Sequence, residues 1–284
     1  KVQAPVAAKK EHIRILHGDT VPDPYYWMID YFKKGPDSTE VVKYLTEEND
    51  YTEKLMAGTK DLQTRLFNEM KARIKEKDES VPVFNNGYYY YTRAEEGKQY
   101  YKYCRKKGSL IAKEEILLDV DQMAEGKAYY YITGITVSPD NRLLLFGVDE
   151  VSRRQYTLKI KNLETGEILS DAIKGTSGQG VWANDNKTIF YTLNNPVTLL
   201  SEKIMRHQLG SSSSDQTVYE EKDKSNYIGV SKTKNGQFIL ITSQATLSAE
   251  VFFINANQPN DAFVSFQPRI KNVLYDVVAL DDRF

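Results

Sequence analysis

The 284-residue sequence has a single cysteine, Cys104. No internal disulfide can form, and a cysteine-based zinc or iron–sulfur centre is excluded. Histidine is nearly as scarce, with only His12, His17 and His207. No His-x-x-x-His or His-Glu-x-x-His spacing sets up a metal site. Charge of one sign is missing too, with 38 Lys and Arg against 39 Asp and Glu. That balance gives no bulk attraction to nucleic acid or an anionic membrane. No apolar run comes near the ~18 residues of a membrane span. Gly-x-Ser-x-Gly, the elbow that presents a nucleophilic serine, does not occur. A phosphate loop is also absent, because no Gly-Lys-Ser/Thr follows the glycines of 175–180. No cofactor is expected.

The length suits one large domain or two small ones. A chain this long buries roughly three quarters of its unfolded surface and needs no disulfide or metal staple. It opens at Lys1 rather than Met, which fits either a trimmed chain or a mature one after signal removal. Cytoplasm and periplasm both stay open.

The texture changes along the sequence. Residues 1 to about 36 form a polar, proline-punctuated arm that includes Asp23-Pro24-Tyr25-Tyr26-Trp27-Met28. From about 38 to 75 the spacing predicts two helices. The first opens on Asp37-x-x-Glu40, a capping-box pattern, and places Val41, Tyr44, Leu45, Glu48, Tyr51 and Leu55 at a helical period. Gly58-Thr59 is expected to break it, with Thr59 capping the second helix. That helix spaces Leu62, Leu66, Met70 and Ile74 by four, with Phe67 widening the stripe, and such a stripe must face something. The charged run Lys75–Ser80 reads as a linker. The domains are therefore expected as 1–75, arm and helices, and 76–284.

Beyond residue 80 the sequence is β-like, rich in Tyr, Val, Ile and Thr between Asn-Gly, Pro-Asp and Thr-Gly turns. Twenty tyrosines favour strands over helices. A strand–turn–strand unit recurs, with turns at Asn85-Asn86-Gly87, Ser138-Pro139-Asp140-Asn141, Ala183-Asn184-Asp185-Asn186 and Ser231–Gly236. Asn85, Ser138, Ala183 and Ser231 stand 53, 45 and 48 residues apart. A third strand follows each hairpin, as in Tyr156–Lys161 and Lys203–Gln208, and a short fourth closes the unit. Four antiparallel strands every ~45–50 residues mark a β-propeller blade. The fold class is mainly β: a partial propeller of about four blades after a short two-helix segment. An irregular β-sandwich with similar turns is the alternative. A fifth unit begins at Val277–Leu280, runs into Asp281-Asp282-Arg283-Phe284, and stops. Open blade edges of this kind associate readily, so the chain reads as the front part of a longer protein.

Few residues offer chemistry. Ser177, in Thr176-Ser177-Gly178-Gln179-Gly180, lacks the leading glycine of an elbow and falls where a flexible blade-to-blade connector is expected. His12 and His17 lie in the polar arm, and His207 in a third strand. Tyr88–Tyr91 could stack nucleic-acid bases, but strand alternation puts two rings on each face, and no basic surplus accompanies them. The clusters Arg105-Lys106-Lys107 and Lys71–Lys77 have acidic residues close by and read as solvated turns and helix faces. Cys104 reads as a small buried apolar residue. No catalytic, cofactor-binding or metal residue is assigned to this chain.

His17-Gly18-Asp19-Thr20 with Asp23–Met28 resembles the opening of the prolyl oligopeptidase family of serine peptidases, in its oligopeptidase B (protease II) branch. Tyr89–Arg93 with Glu96-Gly97-Lys98, Tyr103–Lys106, Glu115–Asp119, Val137–Asp140, Arg153–Leu158, Trp182-Ala183, Phe190–Thr192 and Tyr219–Asp223 continue the likeness to Phe284. The resemblance implies that the helical segment belongs to an α/β-hydrolase domain and that the propeller has seven blades. It also implies a Ser-Asp-His triad beyond Phe284, cleavage of short peptides after Lys or Arg, and a propeller that admits only short or unfolded peptides. The implied partners are peptide substrates and the C-terminal hydrolase domain, with self-association expected of the isolated chain. A free-standing propeller-like interaction module, or an enzyme with an unfamiliar site built on Ser177 and the histidines, are the other readings.

Overall fold

The computed structural model describes residues 2–33, 35–280 and 283–284. The chain divides into two compact units, Lys1–Lys75 and Glu76–Phe284.

The first unit opens with a hairpin, β1 (Ile13–Leu16) and β2 (Asp19–Pro22). Its turn residues His17 and Gly18 both have positive φ, 53° and 89°. That is the twist a two-residue hairpin needs, and it explains His-Gly at this point. A 3₁₀ turn at Tyr26–Ile29 buries Trp27, whose indole N–H donates to the Ala8 carbonyl at 2.9 Å. After α1 (Asp30–Lys33) come α2 (Ser38–Met56) and α3 (Lys60–Ala72), joined by a 3₁₀ turn at Ala57–Thr59.

Both expected caps fail. Asp37 occupies the N-cap position of α2, but its carboxylate takes the Lys10 ammonium and makes no cap bond. The Thr59 hydroxyl donates backwards to the Met56 carbonyl at 2.7 Å and makes no cap bond, although the α-helix does give way at Gly58-Thr59, where Thr59 leaves helical geometry before α3 begins. The stripe on α3 is in place and bare: Leu62, Leu66, Phe67 and Met70 are all exposed, and no residue of α3 is buried.

The second unit is a row of four blades. The first contains β3 (Asp78–Glu79), β4 (Val83–Asn85), β5 (Tyr88–Ala94), β6 (Lys102–Lys107) and β7 (Glu114–Asp119). β3 and β4 both pair with β5, so the charged run read as a linker already joins the sheet at Asp78. A short helix α4 (Val120–Ala124) follows, capped by the Asp119 carboxylate. The second and third blades share one seven-stranded sheet. It holds β8 (Tyr131–Val137), β9 (Leu143–Asp149), β10 (Tyr156–Asn162), β11 (Ile168–Trp182), β12 (Thr188–Asn194), β13 (Ser201–Gln208) and β14 (Gln216–Glu220). The fourth blade is β15 (Tyr227–Lys232), β16 (Phe238–Gln244), β17 (Ala249–Asn255) and β18 (Val264–Gln267). Where a fifth unit is expected, Leu280 and Arg283 form a single bridge, and Asp281 and Asp282 lie outside the described residues.

The second strand of a blade shows why blades stack. Along β9, Leu144, Phe146 and Val148 pack toward the first blade, while Leu145 packs toward the third. In β12, Ile189 and Tyr191 face the second blade and Phe190 faces the fourth. Continuous apolar runs thus fill two cores at once, since successive side chains point to opposite faces.

The first hairpin turns hold the blades at one end. Asn86, Asn141 and Asn186 adopt positive φ, at 45°, 65° and 59°, and Gly236 holds the equivalent place in the fourth blade at 72°. Asn86 Nδ2 donates to the Pro139 carbonyl at 2.7 Å, the Asp140 N–H to Asn186 Oδ1 at 2.9 Å, and Asn184 Nδ2 to the Gly236 carbonyl at 3.1 Å. Each turn is therefore tied to the next.

β11 passes from the second blade to the third by changing partner at Thr176, which pairs with Tyr156 on one side and Leu193 on the other. Gly178, at φ 84°, lies against the backbone of Gly134 and Gly147. A Cβ at Gly147 would stand 2.5 Å from the Gly178 carbonyl oxygen, whereas one at Gly166 would meet nothing within 4 Å. Gly147→Ala is expected to cost about 3 kcal/mol or to prevent folding, through overpacking against backbone. Gly166→Ala, strained only by its φ of 80°, costs about 1 kcal/mol. Urea unfolding of the two variants measures the contrast.

Candidate functional site

Ser177 does not lie in a flexible connector. It sits inside β11, half-buried, between the fully buried Thr176 and the buried Gly178. The Thr176 hydroxyl donates to the Tyr156 carbonyl at 3.2 Å and accepts from the Gly178 N–H at 3.1 Å, which shapes the bulge. The glycines at 175, 178 and 180 serve the crossing between blades. Positive φ at Gly175 and Gly178 marks it, at 72° and 84°. Among the described residues no hydrogen bond joins a serine hydroxyl to a histidine ring.

The three histidines do other work. His12 is exposed and stacks on Tyr26, with ring centroids 3.9 Å apart and planes within 3°. His17 turns the β1–β2 hairpin. His207 is buried in β13, and both ring nitrogens face carboxylates: Nδ1 stands 2.8 Å from Asp215 and Nε2 3.0 Å from Asp171. Asp215 also accepts from the Tyr191 hydroxyl at 2.7 Å, and Asp171 from the Gly210 N–H at 2.8 Å. Burial alone would raise the Asp171 carboxyl; the Gly210 N–H and His207 together outweigh it and hold the group below the usual aspartate range. Burial and Asp215 both push the Tyr191 phenol upward. The cluster clips β11 of the second blade to β12, β13 and the β13–β14 loop of the third. A triad base needs one nitrogen free for the nucleophile's proton, and His207 has none. No sequence signal marked this cluster beyond a histidine in a strand eight residues before an aspartate.

Cys104 is 1% exposed, and burial followed by the nearby Glu114 charge pushes its thiol up to about 11. Burial and the raised value both favour the protonated thiol, in keeping with a small apolar residue. It lies on the free face of the first blade among Tyr91, Arg93, Lys102 and Glu114. Arg93 pairs with Glu114 at 2.9 Å and with Glu95; Lys102 pairs with Glu95 at 2.9 Å and Asp119 at 3.0 Å. Arg93 is the main cause that holds the Glu114 carboxyl below its usual range. The tyrosine run splits as alternation requires. Tyr90 packs toward the second blade, and Tyr91 on the opposite face donates to Glu114. It forms no stacking platform. Of the basic cluster, Arg105 is buried, bonded to Glu115 at 2.7 Å and to the Asn141 carbonyl at 3.0 Å, with its guanidinium 4.0 Å from the Tyr88 ring centre.

An apolar cavity of about 570 Å³ lies between the first two blades, lined by Val83, Tyr90, Tyr103, Leu117, Ile135 and Val137 among others. Among the described residues no group of three or more His, Cys, Asp or Glu is arranged for a metal ion. Nor is any described helix long and apolar enough to cross a membrane. What the chain presents outward is a bare helical stripe, open blade edges and loops.

Residues 5–284 match the family profile described as prolyl oligopeptidase, N-terminal beta-propeller domain. The dipeptidyl aminopeptidase BI of Pseudoxanthomonas mexicana is 38% identical, over 99% of this chain and 40% of that protein. Protease 2 of Moraxella lacunata is 32% identical, over 99% and 41%. Oligopeptidase B from Leishmania major superposes with a TM-score of 0.88 at 31% identity, covering 98% of this chain and 41% of that one. The chain thus spans about 40% of the length of the curated relatives it matches.

His207→Ala removes the ring that joins the Asp171 and Asp215 carboxylates, leaving Asp171 the Gly210 N–H and Asp215 the Tyr191 hydroxyl. It is expected to cost about 3 kcal/mol in chemical denaturation, while Ser177→Ala stays within about 1 kcal/mol. A fluorophosphonate probe, which captures activated serines, should label neither the parent chain nor its variants. Acid gives a second check. Asp171, Glu114 and Glu221 all have folded-state values below their ordinary ones. Their contribution is present above about pH 4.5 and is lost as pH falls through the folded values, so the denaturation midpoint should drop on that side.

Proposed function

The chain belongs to the prolyl oligopeptidase family, as its N-terminal β-propeller domain, and on that premise we propose that it is the access-controlling and docking region of a serine peptidase. The nucleophile, base and orienting acid lie on the part of the protein that follows residue 284. The family match over residues 5–284 carries this reading. The saturated His207, and the absence of any serine–histidine hydrogen bond among the described residues, support it. The propeller covers the catalytic region and passes short or unfolded peptides, which the full protein cuts after Lys or Arg.

In the same reading the stripe of α2 and α3 buries against the catalytic region. Leu62, Leu66, Phe67 and Met70 are 44–62% exposed in this chain. The relatives supply the occupant, being two and a half times longer than the match. Burying such side chains is worth roughly 1.5–3 kcal/mol each. Left alone, the stripe recruits a second copy. Sedimentation velocity of the isolated chain should show concentration-dependent association that Phe67→Ser with Met70→Ser reduces; a strictly monomeric profile at all concentrations counts against the stripe.

A second reading of the substrate is favoured by one observation. The relative at 38% identity is named a dipeptidyl aminopeptidase, which points to removal of N-terminal dipeptides. Two fluorogenic substrates separate the readings in the full-length protein: an N-terminally blocked arginyl amide, and a dipeptidyl amide with a free amino group ending in arginine. The reading proposed here expects cleavage of the blocked amide. Cleavage of the unblocked one alone replaces it with the dipeptidyl aminopeptidase reading.

A further inference from the structure

The propeller unit has two ends, and its hydrogen bonds tell them apart. The turns around Asn86, Asn141, Asn186 and Gly236 are tied to one another and share one end. The chain enters at the other end, where Asp78 and Glu79 pair with Ala94 and Arg93 at the far end of β5. The loop that follows the second strand of each blade lies at this end too: 95–101, 150–155, 195–200 and 245–248. Gly97 of the first loop donates its N–H to Glu76, where the chain comes in.

The loop 150–155 is held by a side chain at its start, as the loop 195–200 is by Asn195, whose Oδ1 accepts the N–H groups of Val197 and Thr198 at 2.9 Å each; it differs in what it displays. Asp149 is 1% exposed, and its carboxylate accepts the backbone N–H groups of Val151 at 2.9 Å, Arg153 at 3.0 Å and Arg154 at 2.8 Å. Ser152 and Arg154 are kept at φ 58° and 55°, a region that non-glycine residues rarely adopt. The result is a rigid platform for two exposed arginines. Elsewhere in the propeller, Arg93, Arg105, Arg142, Arg206 and Arg269 each bond an acceptor across a strand or turn. Arg153 reaches only the Ser152 carbonyl of its own loop at 3.0 Å, and the Arg154 guanidinium has no hydrogen bond or ion pair among the described residues. The neighbouring acid, Glu150, is taken by Lys127 at 3.3 Å. Positive charge is left over.

We infer that Arg153 and Arg154 are a docking pair for carboxylates on the catalytic region of the same protein, which they hold against this end of the propeller. The inference rests on the function proposed above. Three observations favour this occupant. The pair lies at the end where the chain arrives from the N-terminal unit. The larger part of the relatives' length follows the matched region and must meet the propeller somewhere. A guanidinium on a fixed backbone suits bidentate binding of a carboxylate whose position is also fixed.

The test uses the full-length protein, small-angle scattering, and kcat/KM on short peptides supplied both as free acids and as C-terminal amides. Arg153→Glu with Arg154→Glu is expected to expand the particle. It should also lower kcat/KM roughly tenfold at about 0.05 M salt for both peptide forms, with the gap from wild type narrowing near about 0.5 M. Arg153→Lys with Arg154→Lys keeps the charge but loses the fork, and should fall between the wild type and the double-glutamate variant. A wild type that cleaves no peptide overturns the peptidase reading and this one with it. An active wild type whose double-glutamate variant matches it in both measurements overturns the docking pair alone. Loss confined to free-acid peptides, with no expansion, assigns the arginines to the substrate's C-terminus and overturns it as well.

Discussion

Everything in the propeller unit follows from the double burial of its sheets. A small twisted sheet with one apolar face needs a single partner; these sheets have two. Strand β9 shows the constraint in one run, Leu144-Leu145-Phe146-Gly147-Val148, where alternate residues serve different cores. The second and third blades lie between neighbours, and the first and fourth each share one core with the blade beside them. The turn-to-turn hydrogen bonds are weak by comparison, about 1 kcal/mol each. They set the angle and spacing at which the apolar faces meet. Glycine enters where the faces come closest, at Gly134, Gly147 and Gly178, because backbone there touches backbone.

The same constraint makes the two terminal faces informative, and they are not alike. The free face of the first blade is polar: Arg93, Lys102, Glu95, Glu114 and Asp119 are cross-paired over Cys104 and Tyr91. The free face of the fourth is aromatic. Phe284 lies 4.8–5.4 Å from Phe238, Phe253 and Phe266, and Tyr275 ties the segment after β18 back onto β17. A face of ion pairs keeps its own charges satisfied with or without a neighbour. An aromatic face does not, and here the rings of Phe284 and Phe266 and the segment around Tyr275 lie against it.

Much of this architecture was legible in the sequence, because turns and strand alternation are local. Asn and Gly at the hairpin turns mark positions that need positive φ, and their spacing set out the repeat before any coordinates. The helical stripe was legible for the same reason. Other features came from competition that local pattern cannot show. Asp37 fits a capping box, but a lysine twenty-seven residues earlier takes its carboxylate. Thr59 looks like a cap and bonds backwards instead. Gly175-Thr176-Ser177-Gly178 looks like a loose connector. It is strand, because it must pair with β10 on one side and β12 on the other. His207 gave no signal, since its partners lie on two blades.

How the polar groups are used argues for where function resides. A catalytic site keeps capacity in reserve: a base with a free nitrogen, or donors aimed at an empty position. Inside the propeller that reserve is nearly absent. His207 has both nitrogens engaged and Arg105 is matched to Glu115 and a carbonyl. Among the described residues only Arg14 Nε and Asp121 Oδ2 are buried side-chain atoms left without a partner. Unused capacity is found instead on the margins, in the bare stripe of α3, the blade edges and the arginines of the 150–155 loop. In the propeller unit, then, polar groups are spent on holding strands and turns together, and what is left unspent lies in its loops and along its edges, where a partner can reach it.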